Sequence, residues 1–238
     1  MSRSLANATT FALPRAATVL VPVGSIEQHG PHLPLNTDTV IADAVAHRAA
    51  DLLGRDDVLV GPPVSYAASG EHQQFAGTSS IGTEALRTVI LELARSLRTW
   101  AARVVFVNAH GGNLRALDGA IRQLVAEGHD AMWLPCATRQ ADPHAGRTET
   151  SLMLHLIPRS VRLDLAGAGN TAPLEELMPH LLAGGMGAVS ANGVLGDPAG
   201  ASAKEGRHLL EEMAQDVAGR VRAVLPALAG AGSGGAVG

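Results

Sequence analysis

Two kinds of hydrophobic segment alternate along the chain. Short apolar runs, TVLVPV at 18–23, VLV at 58–60, RVVFV at 103–107 and a run at 130–135, are bounded by Gly, Pro or polar motifs and predict strands. Between them, apolar residues recur at helical spacing. Val40, Ile41, Ala44, Val45, Ala49, Leu52 and Leu53 predict a helix from Thr39 to Leu53, stopped by Gly54. Leu86, Val89, Ile90, Leu93 and Leu97 predict a second, from an N-cap at Thr83 to about Trp100. Further helices are expected from Leu114 to Glu127 and from Ser151 to Ile157. A last one runs from Ser202, which has capping-box spacing to Glu205, to about Leu225. Residues 165–200 are Gly-rich and show no clear period, and residues 62–82 form a long polar loop of the kind that usually carries function.

The strand–helix rhythm, with strand runs apolar on both faces, implies an α/β fold whose mostly parallel sheet is covered by helices on both sides. No repeat or linker interrupts it, so a single domain is expected over 1–228, followed by a tail at 229–238 of flexible composition, AGAGSGGAVG. In such folds ligands gather beyond the carboxyl ends of the strands. The polar motifs after Val23, Val60, Val107 and Pro135 all fall there.

Composition narrows the function classes. Of the 238 residues 46% are hydrophobic but only 3% aromatic, so the core is built from Ala, Val, Leu and Ile. A net charge of −4 argues against nucleic acid as a partner. No segment approaches the ~18 apolar residues of a membrane span, and Arg15 breaks up the N-terminal stretch as a signal peptide. Cys136 is the lone cysteine, so no intrachain disulfide can form and a cytoplasmic protein is the simplest reading. There is no G-x-S-x-G, no Walker A motif, no H-E-x-x-H and no G-x-G-x-x-G after a strand.

Histidine changes the picture. There are ten, and His29, His32, His72, His110 and His144 lie in Gly/Pro-rich loops. Glu27 and His29 are two apart, on the same side of an extended backbone, and Asp38 follows at a helix start. Carboxylate, imidazole and carboxylate form a mixed N/O set that suits Zn²⁺, Mn²⁺ or Fe²⁺. Asp38 could equally cap its helix. His110 ends a strand before Gly111-Gly112, where backbone can approach a ligand closely, or simply sits in a sharp turn. Glu149 opens a helix, where the dipole favours a carboxylate in any case, and His144 lies in the loop before it. Convergence of these residues from separate strand ends is what argues for a site. Glu27, Asp38 and Glu149 bring three negative charges, which two divalent cations and one hydroxide balance. Two metals ~3.5–4 Å apart can activate water and polarise a carbonyl at once. In the loop at 65–78, Ser69, Glu71 and His72 are candidate substrate contacts, or parts of an ordered surface loop. Asn192-Gly193 and Asp197-Pro198 read as turns first. Cys136 has no feature that marks it as activated.

The segments G-S-I-E-Q-H-G-P-H-L-P-L-N-T-D, N-A-H-G-G-N and H-A-G-R-T-E-T-S together resemble the motifs of the creatininase family of metal-dependent amidohydrolases, over nearly the whole chain. The resemblance implies a three-layer α/β/α sandwich and two divalent metal ions (Zn, Fe or Mn) per subunit. It places Glu27, Asp38 and His110 on one metal and His29, Asp38 and Glu149 on the other. His144 would sit beside the metals as proton donor or substrate contact, the proton donor being the catalytic role expected here, and Ser69, His72 and Gly111 are the candidate substrate-binding residues. One departure is that creatininase itself carries a further acid where this chain has Gly112. Segments 66–78, 142–146 and 192–198 look most like a branch of peptidases that cleave a modified precursor peptide near its C-terminus, releasing a unit derived from a terminal Val-Tyr. The family resemblance also implies a homo-oligomer. The alternative readings are an amidohydrolase of a small cyclic amide or a formamide, and a metal-stabilised scaffold that binds without cutting.

Overall fold

A computed structural model describes residues 3–138 and 141–225; the tail expected at 229–238 lies outside the described residues. Four strands, β1 (Thr18–Val23), β2 (Val58–Val60), β3 (Arg103–Asn108) and β4 (Ala131–Pro135), form one parallel sheet in the order β2-β1-β3-β4. β1 is buried at every position, as a strand covered on both faces must be. Its residues alternate between two cores. Leu20 joins Val105, Val107, Leu134 and the helices α1 (Thr37–Leu53), α4 (Arg147–Leu156) and α6 (Ala203–Val224). Val19, Val21 and Val23 join Phe106 and the helices α2 (Thr83–Leu97) and α3 (Leu114–Ala126). The result is the expected three-layer α/β/α sandwich.

Several boundaries differ from the pattern reading. α1 begins at Thr37, which puts Asp38 inside its first turn. Gly82, not Thr83, is the N-cap of α2. α4 starts at Arg147 rather than Ser151, because the Asp142 side chain caps it from upstream: Oδ1 accepts the Thr148 amide at 2.9 Å and Oδ2 accepts the Arg147 amide. The Ser202 cap forms as expected, its hydroxyl accepting from the Glu205 amide at 3.2 Å. The Gly-rich region holds a helix the periodicity does not show, α5 (Leu174–Gly184), which carries Pro179 inside it. Among the described residues no helix is long and apolar enough to cross a membrane.

The strand order explains where chemistry can gather. From β1 the chain moves outward to β2; from β3 it moves outward to β4 on the other side. The crevice beyond the carboxyl ends of β1 and β3 is therefore the topological switch point, where open α/β sheets place ligands.

Candidate metal centre

The loop after β1 delivers Glu27 and His29, α1 delivers Asp38, the end of β3 delivers His110, and the segment leading into α4 delivers His144 and Glu149. The structure brings all six together at the switch point, five of them buried and the Glu149 side chain 17% exposed. Asp38 stands in the middle. Its Oδ1 lies 3.2 Å from His29 Nε2 and its Oδ2 lies 3.5 Å from His110 Nδ1. Each oxygen thus faces a different histidine. Glu27 Oε2 lies 3.1 Å from His110 Nε2, and Glu149 Oε2 lies 3.8 Å from His29 Nε2.

Backbone carbonyls orient three of the imidazoles. A carbonyl only accepts, so the ring nitrogen that meets it carries the hydrogen. His29 Nδ1 donates to Glu27 O at 3.1 Å, His110 Nε2 to Ala68 O at 3.0 Å and His144 Nε2 to Gln28 O at 2.9 Å. The other nitrogen of each ring points into the crevice, where a cation can take the place of a proton. Metal-ligating histidines are typically held this way. Two buried carboxylate oxygens, Glu27 Oε1 and Asp38 Oδ2, have no hydrogen-bond partner. Buried anionic oxygens without donors are costly unless a cation meets them. Three donor sets have ligand atoms within 4.8 Å of one another: Glu27–Asp38–His110, His29–His144–Glu149 and Glu27–His72–His144. The donor chemistry therefore fits a pair of divalent cations.

Protons occupy the same places electrostatically. Burial alone would lower His29, but the charges of Asp38, Glu149 and Glu27 push it up to about 10. His110 is raised well above its ordinary range for the same reason, Glu27 outweighing burial. Burial would raise Glu27, yet the adjacent His110, with His72 and His29, holds it well below the usual carboxylate range. Burial, reinforced by Asp38, pushes Glu149 up to about 7. Burial and the neighbouring His29 and His72 hold His144 well below its ordinary value, so it starts neutral.

Local backbone sets the geometry. Ala145 adopts a left-handed conformation (φ 53°), a strain of ~1–3 kcal/mol that clusters at functional sites. It is held by its amide, which donates to Glu149 Oε2 at 2.6 Å, and by paired backbone bonds between His144 and Leu195. The 190s segment thus serves as a brace, and Asn192 and Asp197 make the local turns their types suggest.

The candidate substrate contacts land in different places. Open space lies in front of Gly111, at the lip of the site. Ser69 is fully buried and meets Ser25, whose hydroxyl donates to Glu27 Oε2 at 2.8 Å; it sits behind the acid. His72 is buried with Nε2 3.3 Å from Glu27 Oε1. Glu71, which the pattern reading left among loop candidates, reaches His110 Nε2 at 3.3 Å. Its carboxylate occupies the space where a side chain at position 112 would begin, so Gly112 has to lack one. No sequence signal ties residue 71 to residue 112; only the fold does. Burial and the charge of Asp38 push the Cys136 thiol up, so it remains protonated.

A family model described as creatininase, creatinine amidohydrolase, matches residues 5–221. The chain belongs to the creatininase family. It is 54% identical over 224 residues to a mycofactocin precursor peptide peptidase of Mycobacterium ulcerans, covering 91% of this chain and 90% of that protein. A mutant creatininase complexed with creatine superimposes with a TM-score of 0.78 at 27% identity, over 95% of this chain and 100% of the other. A mutant creatininase of Zn-Zn type superimposes with a TM-score of 0.77 at 27% identity, over 95% and 99% of the two chains. Creatininase-family membership and the buried donor sets make this a metal-dependent amidohydrolase with groups suited to a binuclear centre.

Proposed function

We propose that the chain is a metal-dependent peptidase that cleaves a modified mycofactocin precursor peptide near its C-terminus, releasing the Val-Tyr-derived unit. The observation that carries the hydrolytic part is Asp38, placed with one oxygen toward each of two histidines whose other nitrogens are tied to backbone. The substrate class is supported by the strong likeness to the M. ulcerans peptidase over nine-tenths of both chains.

Glu27, Asp38 and His110 would hold one cation, and His29, Asp38 and Glu149 the other. Bound there, a divalent pair supplies Lewis acidity that activates water and polarises the amide carbonyl. His144 begins with Nδ1 bare, so that atom accepts the proton shed by the attacking water and passes it to the leaving nitrogen. Gly111 and Glu71 at the lip leave room for the peptide on the open side. The broader reading includes a homo-oligomer in the cytoplasm.

The test is mass spectrometry of a precursor peptide with a decarboxylated C-terminal Val-Tyr, incubated with metal-loaded and with chelator-treated protein. Metal-dependent loss of the C-terminal unit is the expected result. No cleavage despite bound metal would turn the assignment to a small cyclic amide or a formamide.

A further inference from the structure

Three histidines of the site are anchored by backbone carbonyls; His72 is anchored by the opposite kind of group. Its Nδ1 lies 2.9 Å from Gln28 Nε2. Two backbone groups fix which end of the Gln28 amide this is. The Gly30 amide can only donate, and it meets Gln28 Oε1 at 2.8 Å. The Gly193 carbonyl can only accept, and it meets Gln28 Nε2 at 2.9 Å. The Gln28 amide nitrogen therefore spends one hydrogen on Gly193 O and has the other for His72 Nδ1. It also lies 3.1 Å from His144 Nε2, but that nitrogen already donates to Gln28 O. His72 Nδ1 must accept, so its hydrogen sits on Nε2, the nitrogen 3.3 Å from Glu27 Oε1.

We infer that Gln28 is a positioning residue that fixes His72 as its Nε2–H tautomer, which closes the Glu27–His72–His144 set to a cation and leaves two cation places rather than three. By distance alone the set resembles the other two. A metal needs a lone pair, and His72 presents an N–H instead. That N–H faces the carboxylate from the side away from Ser25, whose hydroxyl takes the other oxygen.

The inference rests on the two-metal reading for its consequence, but its chemistry can be read on metal-free protein. Two-bond ¹⁵N–¹H spectra of histidine-labelled, metal-free protein should show His72 protonated at Nε2 and bare at Nδ1. The reverse assignment overturns the proposal, whatever metal the protein binds. Gln28→Glu replaces the donor with an acceptor and should shift the His72 hydrogen to Nδ1; an unchanged spectrum in the folded variant also overturns it. His72→Gln keeps a donor near the Nε2 position and should retain the wild-type metal content by elemental analysis, whereas His110→Gln should lose one equivalent. Loss of an equivalent in His72→Gln would make His72 a ligand and end the proposal. Wild-type protein that binds no divalent metal would instead sink the two-metal reading and leave the tautomer result standing.

Discussion

Glu27 and Glu149 are both glutamates facing histidines, yet they sit at opposite ends of the carboxylate range. Glu27 lies within reach of His110, His72 and His29, and these hold it ionised in spite of full burial. Glu149 is favoured by the charge of His29 but opposed by Asp38, and burial pushes it up to about 7. One half of the site hangs on the sheet through the ends of β1 and β3; the other hangs on the first turn of α4 and a strained Ala145. The lesson is that the same residue type gives a permanently charged carboxylate on the sheet side and a protonatable one on the helix side.

The largest effect should come from the residue that belongs to both halves. Asp38→Ala is expected to lose both metal equivalents and all measurable hydrolysis; retained metal in elemental analysis would rule out the bridging role. Glu149→Gln should lose one equivalent and leave the sheet-side cation bound. If both cations leave together, the two halves are not separable. Replacing His144 with Ala should keep both metals while turnover falls by about 10²–10⁴-fold, the usual range for a general acid–base residue. Full activity in that variant would remove it from proton transfer.

A smaller effect concerns pH in the metal-free protein. Folding raises His29 from 6.5 to about 10, so its contribution to stability is complete below 6.5 and is lost as pH rises toward 10. Glu149, raised from 4.5 to about 7, likewise favours the folded state less as pH climbs through that window. His144, held below its ordinary value, works the other way near pH 6.5, so the melting temperature of chelated protein should fall between about pH 7 and 10, and bound metal should flatten that slope. A chelated protein whose melting temperature rises over this window would contradict the charge arrangement. The smallest effect is mechanical. Gly206 lets α6 pack directly on the backbone of Ser151 and Leu152 in α4. Gly206→Ala should cost ~1–3 kcal/mol through overpacking, seen as a lower melting temperature. It should loosen the helix-side cation before the sheet-side one.

Much of the site was legible because strand ends are legible. Glu27 and His29 lie in the polar motif that follows one short apolar run, and His110 lies just past the end of another, so continuous apolar runs ending in polar residues locate them. Helix α5 was hidden by Pro179 and the surrounding glycines, whose local preferences oppose the helix that tertiary contacts with Met186 and Leu195 support. The early start of α4 was hidden because its cap, Asp142, lies five residues upstream rather than next to it. The approach of Glu71 to Gly112 and the grip of Gln28 on His72 join residues 41 and 44 positions apart, and no local pattern records such pairings.

The strand order also dictates a timetable. The centre of the sheet pairs residues 18–23 with residues 103–108, so β1 waits for most of the first half of the chain before its inner neighbour exists. Contacts this far apart in sequence slow folding, because loop closure precedes any reward. Glu27 and Asp38 can meet His110 only once that pairing forms. On a growing chain, the sheet-side donor set therefore cannot be assembled early: the last member of that trio and the last inner strand emerge together.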